Sequence, residues 1–302
     1  MSSPPGVTLN RREVVAALGT AGAVTTVGRF ASVAEAEVTQ EAPLTVRVYP
    51  GPVSPWVWAR YGPAGLTDGW VRPHVAVLEA VERACEDVEA HATAQGIDLE
   101  VSVERGERIR RADLDVPPVV PDRQGVLDAF RDHLAGREAL AGPICHLLCW
   151  WGPTHARVGY GGVRSETGHV ASEPDEGAHA VVNVGATEVW DSRAVTVNMA
   201  VHEVFHAYLT DEETVDLVGT ECDHDLGTAV REEGTLTVSP MATAYATPGI
   251  GTGTRWPGSG CTNGETVATQ DDPAGVEAVE YTAACSEETL EGVTRYLERR
   301  LL

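Results

Sequence analysis

Lysine is absent from this 302-residue sequence, so all 22 of its basic side chains are arginine, set against 45 acidic ones for a formal net charge of −23. A chain so short of cations lacks the basic footprint that a phosphate backbone requires, which excludes nucleic acid as a partner. Long apolar runs are missing as well. The longest uncharged stretch near the N-terminus, Val14 to Gly28, is rich in Gly, Ala and Thr and is too short and too polar for a stable membrane span. Aromatic residues are few, at 6 %, yet a hydrophobic content of 43 % leaves enough side chain for a sizeable core and argues against global disorder. No internal repeat is present. The length fits one domain with an embellished C-terminal part, or two subdomains.

The charge excess has a physical consequence. Self-repulsion at this net charge destabilises a compact state in dilute buffer and is screened in concentrated salt. In this respect the composition resembles that of halophilic archaeal proteins. The N-terminus adds a second resemblance. Asn10-Arg11-Arg12 precedes the weakly apolar Val14–Gly28 run, and Ala34-Glu35-Ala36 supplies an A-x-A site. The paired arginines resemble a twin-arginine export signal. That resemblance implies a signal peptide over residues 1–36, a polar linker over 37–43, and a protein secreted or held at the cell surface. No cysteine lies near the cleavage region to carry a lipid anchor.

The six cysteines, at 85, 145, 149, 222, 261 and 285, are compatible with disulfides in an exported chain. Cys261 and Cys285 bracket a Gly/Asp-rich loop and form the preferred pair. Cys145 and Cys149 lack zinc-knuckle spacing, so the cysteines are not read as metal ligands.

Periodicity predicts the elements in order. Residues 44–51 alternate and end in Pro-Gly, a strand. Ser54 to Gly65 reads as a loop with an aromatic cluster. A helix runs from Pro73 to about Gln95, with Val75, Leu78, Val81 and Val88 as its stripe. A strand follows over 97–107, then a helix over 121–136 closed by Gly136, and a buried strand over 144–152. Gly159 to Val163 reads as a turn near the cleft. A further strand covers 178–186, and Asp191 or Ser192 caps a helix reaching about Leu209. From Arg231 regularity fades, 249–275 is irregular, and Glu287 to Leu302 forms a terminal helix. The fold class is therefore α/β (α+β): a mixed twisted sheet with helices packed on it, and an irregular C-terminal subdomain ending in a helix.

One of those helices carries chemistry. His202-Glu203-Val204-Phe205-His206 places two imidazoles four residues apart, hence on one helix face. Each can give one nitrogen to a tetrahedral zinc ion, while Glu203, turned about 100° away, lies beside the metal as a general base. The helix is apolar around them, through Val195, Val197, Met199, Val201 and Phe205, and burying two histidines and a glutamate without partners is costly. A third ligand lies downstream. Thr210 and Glu213 form a T-x-x-E capping box that predicts a short helix from Asp211 to Val218, stopped by Gly219. The chain then returns with Glu221-Cys222-Asp223-His224-Asp225. His224 is the leading third ligand, with Glu221, Glu212 and Asp211 as alternatives, and Glu221, Asp223 and Asp225 can orient the imidazoles.

The segment Val238-Ser239-Pro240-Met241 follows within twenty residues. Taken with the HExxH helix, it resembles the Met-turn of the metzincin-like zincins over about residues 178–245. The resemblance implies peptide hydrolysis, with Met241 as a hydrophobic floor. Tyr245 is a candidate oxyanion donor, and core packing is its equal alternative. The sequence departs from the metzincin pattern at Leu209 and Glu212, where that family has glycine and histidine. Residues 44–227 would form the catalytic domain and 228–302 the C-terminal subdomain. The strand at 178–186 would be the rim that pairs with an extended peptide. The expected protein is a zinc-dependent endopeptidase acting on peptide or protein substrates. The alternatives are a zinc hydrolase of a non-peptide substrate, or a non-catalytic surface module with structural zinc. His146, His155, His169 and His179 are read as surface or satisfied core, and Asp271-Asp272 as a possible calcium pair.

Overall fold

The computed structural model describes residues 42–302 except 65–68, 117–120, 141, 153–160, 164–168, 173–174 and 243–277. The signal segment, Tyr245, His155, Cys261 and Asp271-Asp272 lie outside the described residues.

The central sheet is built from β1 (Leu44–Pro50), β2 (Val101–Arg105), β3 (Ile144–Trp150), β4 (Gly161–Val163) and β5 (Ala178–Asn183). Its order is β2-β1-β3-β5-β4, with the first four parallel and β4 antiparallel to β5. Strands buried on both faces need apolar side chains in both alternating sets. β3 shows this: Leu147 and Cys149 face one layer, Leu148 and Trp150 the other. Each fully buried Leu contributes about 1.5–3 kcal/mol.

Helices cover both faces. α2 (Arg72–Ala94) and α5 (Arg193–Phe205) share the core that contains Leu147, Val182 and Val201. α3 (Arg123–Gly136) packs Phe130 and Leu134 against Tyr49, Leu148 and Val181 on the opposite face. Inside that layer His146 and His179 stack 5.3 Å apart, and His146 Nδ1 lies 3.0 Å from the Tyr49 hydroxyl. Both are core histidines.

Several local expectations are corrected. Ser54–Gly65 contains a helix, α1 (Pro55–Tyr61), because the Ser54 hydroxyl accepts from Val57 N and Pro55 is preset for the first turn. The helix over 121–136 does not stop at a left-handed Gly136; the positive φ falls on Glu138, at 55°. Gly161–Val163 is the strand β4 instead of a turn. The strand over 178–186 ends at Asn183, whose side chain accepts from Ala186 N at 3.1 Å and starts α4 (Val184–Trp190). It is also an interior strand; among the described residues the edge strand on that side is β4.

Beyond α5 come α6 (Asp211–Val218) and a second sheet of β6 (Ala229–Glu232), β7 (Thr235–Val238) and β8 (Ala278–Tyr281); α7 (Glu287–Arg300) ends the chain. The sheet is more regular than expected after Arg231. Glu233 and Gly234, with φ of 47° and 83°, make the tight turn between β6 and β7. Asn198 ties this sheet to α5, donating to Val238 O at 3.1 Å and Thr282 O at 2.7 Å. Cys85, Cys145, Cys149 and Cys285 are free thiols, whereas Cys222 is disulfide-bonded. The Cys261–Cys285 pairing is therefore not formed; Cys285 is held in the core beside α7. Among the described residues no helix is long and apolar enough to cross a membrane.

Candidate metal centre

α5 begins where the Ser192 hydroxyl accepts from Val195 N at 3.4 Å, and it runs into a 3₁₀ turn, His206–Tyr208. Helical spacing brings His202 and His206 to one face, with their Nε2 atoms 2.9 Å apart. The chain then turns back as the sequence predicts. α6 spans Asp211–Val218 and closes on Gly219 in the left-handed conformation, at φ 77°. One detail of the cap differs: the Thr210 hydroxyl donates to the Glu213 carboxylate instead of accepting from a backbone N–H. The return segment forms a 3₁₀ turn, Asp223–Leu226, anchored where the Ser286 and Thr289 hydroxyls of the α7 start donate to Leu226 O. His224 Nε2 thereby reaches 3.1 Å from His206 Nε2.

The three Nε2 atoms lie within 4.8 Å of one another. Two nitrogens on a tetrahedral zinc are about 3.3 Å apart, given Zn–N bonds of about 2.0–2.1 Å. The far side of two rings fixes what the near side offers. His202 Nδ1–H donates to Pro240 O at 2.7 Å, and His206 Nδ1–H donates to Asp223 Oδ2 at 2.5 Å. A neutral imidazole protonated at Nδ1 presents a lone pair at Nε2. Lone pairs converging at about 3 Å repel unless a cation sits among them. The residues present therefore fit a metal ion.

Electrostatics agree with this. Burial, then His206 and His224, hold His202 well below the ordinary histidine range, and burial followed by His206 brings His224 down to about 4. Burial also depresses His206, but the Asp223 carboxylate outweighs it and raises the pKa overall. The Asp223 carboxyl, raised by burial, is pulled well below its ordinary value by His206, which bonds it.

Glu203 projects beside the cluster, 3 % exposed, and among the described residues its carboxylate forms neither ion pair nor hydrogen bond. Burial pushes its pKa up to about 7, against the opposing pull of His206 and Arg123. β4 passes directly over it: a Cβ on Gly161 would lie 2.5 Å from Glu203 Oε1. Only glycine lets this edge strand approach so closely.

The other candidates lie elsewhere. Glu212 pairs with Arg299 and Arg300 of α7, Asp211 and Glu221 are exposed, and Asp225 accepts from the Thr220 hydroxyl at 2.6 Å. Cys222, Asp223 and His224 also cluster, but a disulfide-bonded sulfur is no thiolate ligand. Met241 is fully buried in the main core, one residue beyond the carbonyl that aims His202. Sequence reasoning missed the Pro240 carbonyl, the edge strand β4, and Arg123, whose Nη1 donates to Gly161 O at 3.3 Å. The Gly161-Gly162 pair was the available signal for the close approach; nothing in the spacing pointed to Arg123.

No protein-family model and no curated protein matches the sequence. Among solved structures, similarity is found to metalloproteinase-II from Bacteroides fragilis, at 11 % identity over 57 % of this chain and 44 % of that one, with a TM-score of 0.32. The chain thus aligns with less than half of that protein.

Proposed function

We propose that the chain is a zinc-dependent endopeptidase, with His202, His206 and His224 as the metal ligands and Glu203 as general base. The observation that carries this reading is the convergence of three imidazole Nε2 atoms beside a buried, unpaired carboxylate. Held by these three imidazoles, a zinc ion would acidify a water and polarise a carbonyl. The chain's own groups do the rest. Asp223 and Pro240 O hold two of the imidazoles in the ligating tautomer. Glu203 takes a proton from the attacking water and hands it to the leaving amine. β4 offers an extended peptide the edge that the sequence reading had placed one strand further in. Export through a twin-arginine signal, and operation in concentrated salt, belong to the same reading and rest on Arg11-Arg12 and the net charge of −23.

The test measures metal content and peptide cleavage together, in high salt, on the purified full chain. Zinc should be present at one ion per chain, and a peptide library should be cut. His224→Ala should empty the site and abolish cleavage. Glu221→Ala should leave the metal in place. Glu212→Ala should also keep it and cost about 0.3–1 kcal/mol of stability at most, reduced by salt. Should Glu212→Ala empty the site while His224→Ala leaves it full, the ligand set is wrong. Cleavage of esters with no cut peptide in the library would favour a hydrolase of another class.

A further inference from the structure

Arg123 stands at the first turn of α3, where the helix dipole disfavours a cation. It is exposed, and among the described residues no carboxylate pairs with it. Several other arginines pair with a carboxylate: Arg47 with Glu104, Arg131 with Glu176, Arg193 with Glu188. Arg123 is instead laid across the edge strand β4. Its Nη1 donates to Gly161 O, and a Cβ on Gly162 would lie 2.3 Å from its Cδ and 2.7 Å from its Nε. Successive residues of a strand face opposite sides. Gly161 faces Glu203 and Gly162 faces Arg123, so the two charged groups flank the same short stretch of β4, the edge strand among the described residues.

We propose that Arg123 is a specificity-determining residue that takes a carboxylate of a peptide lying along β4. This rests on the reading of the cleft as a peptide site. A peptide along that edge alternates its side chains between the Glu203 side and the Arg123 side, and those on the latter meet a guanidinium with donors to spare. Elsewhere on a chain of net charge −23 an acidic side chain meets mostly like charge; here it meets the opposite one. The carboxylate is either an acidic side chain or the C-terminus of the peptide, since a guanidinium binds both by the same fork.

Binding separates this from turnover. The full chain carrying Glu203→Gln and loaded with zinc is titrated with labelled decapeptides that hold one Glu, or Gln in its place, at successive positions. Each is made with a free and with an amidated C-terminus. Arg123→Lys and Arg123→Glu are added in the same background. Glu peptides, or free-carboxylate peptides, should bind about tenfold tighter than their neutral counterparts, as one charge-assisted pair gives. Which of the two ratios moves identifies the source. Arg123→Lys should keep part of the preference, and Arg123→Glu should reverse it toward Lys-containing peptides. The proposal is overturned if neither ratio differs from one, or if both persist in Arg123→Glu. It is equally overturned if the substitutions weaken acidic and neutral peptides alike, the mark of a residue that only braces Gly161. If the acidic preference depends on Arg123 but the Glu203 protein cuts no peptide, the endopeptidase reading fails and this one stands.

Discussion

Glu203 and Glu213 lie ten residues apart, and both are buried, at 3 % and 0 % exposure. Their surroundings differ completely. Glu213 accepts from the Thr210 hydroxyl and meets two guanidinium groups of α7, Arg300 at 3.2 Å and Arg299 at 3.5 Å. It is a buried charge whose desolvation is offset by partners, and it joins α6 to α7. Glu203 has no such partner among the described residues, and burial raises its pKa to about 7. A fold does not gain from a carboxylate left in that state, so the pair contrasts a buried charge settled by partners with one that lacks them, as the proposed role of Glu203 requires.

The sharpest way to break the comparison is to neutralise each in turn. Glu203→Gln should lower kcat by about 10²–10⁴-fold, while metal analysis finds zinc unchanged. Glu213→Gln should leave kcat within a small factor. Equal losses from both would erase the distinction.

A titration of stability comes next. In metal-free protein the folded Glu203 pKa of about 7 exceeds its unfolded value of 4.5, so the folded state binds the extra proton. Its contribution is complete below pH 4.5 and disappears as pH rises through 7. The histidines held low act oppositely, gaining stability as pH rises toward 6.5, and they are common to wild type and variant. The difference in unfolding free energy between wild type and Glu203→Gln should therefore fall with pH across this window, by about 3 kcal/mol at most. Chemical denaturation at successive pH values measures it, and a flat difference would contradict the placement of Glu203.

Gly161→Ala sharpens the same contrast from the other side. Its Cβ would press on Glu203 Oε1 and on Val181 O, 2.7 Å away, so the carboxylate must shift. Turnover should drop about 10–100-fold with zinc retained, because displacement on the scale of 1 Å suffices for that. The smallest effect belongs to the stability of Glu213→Gln. It leaves Arg299 and Arg300 short of a carboxylate, but these are 35 % and 28 % exposed and water answers part of the loss. A destabilisation of about 1–2 kcal/mol in a urea titration is expected, smaller in high salt.

The parts of the site that the sequence made legible are those fixed by local rules. His202 and His206 follow from helical spacing, and the turn back to His224 follows from Thr210 and Gly219. What stayed hidden depends on partners distant in the chain. β4 has only a short Gly-Gly-Val segment, and its strand identity comes from pairing with β5. Arg123 belongs to a helix whose pattern reports only its packing against the sheet. The α1 helix was masked by aromatic residues that read as a loop, although Ser54-Pro55 carried a start signal. β6, β7 and β8 escaped because β7 pairs in parallel with a strand some forty residues further on, beyond the reach of any local pattern.

The two bonds that aim the imidazoles also differ in how they can be lost. Asp223 supplies a side chain, so a single codon change removes it, and strong acid can discharge it. Pro240 supplies a main-chain carbonyl, which every residue type possesses and which no ordinary pH titrates. His202 is thus oriented by a group that mutation at position 240 can shift but never delete. Inherited variation at the site should accordingly fall on the His206 side before it reaches the His202 side.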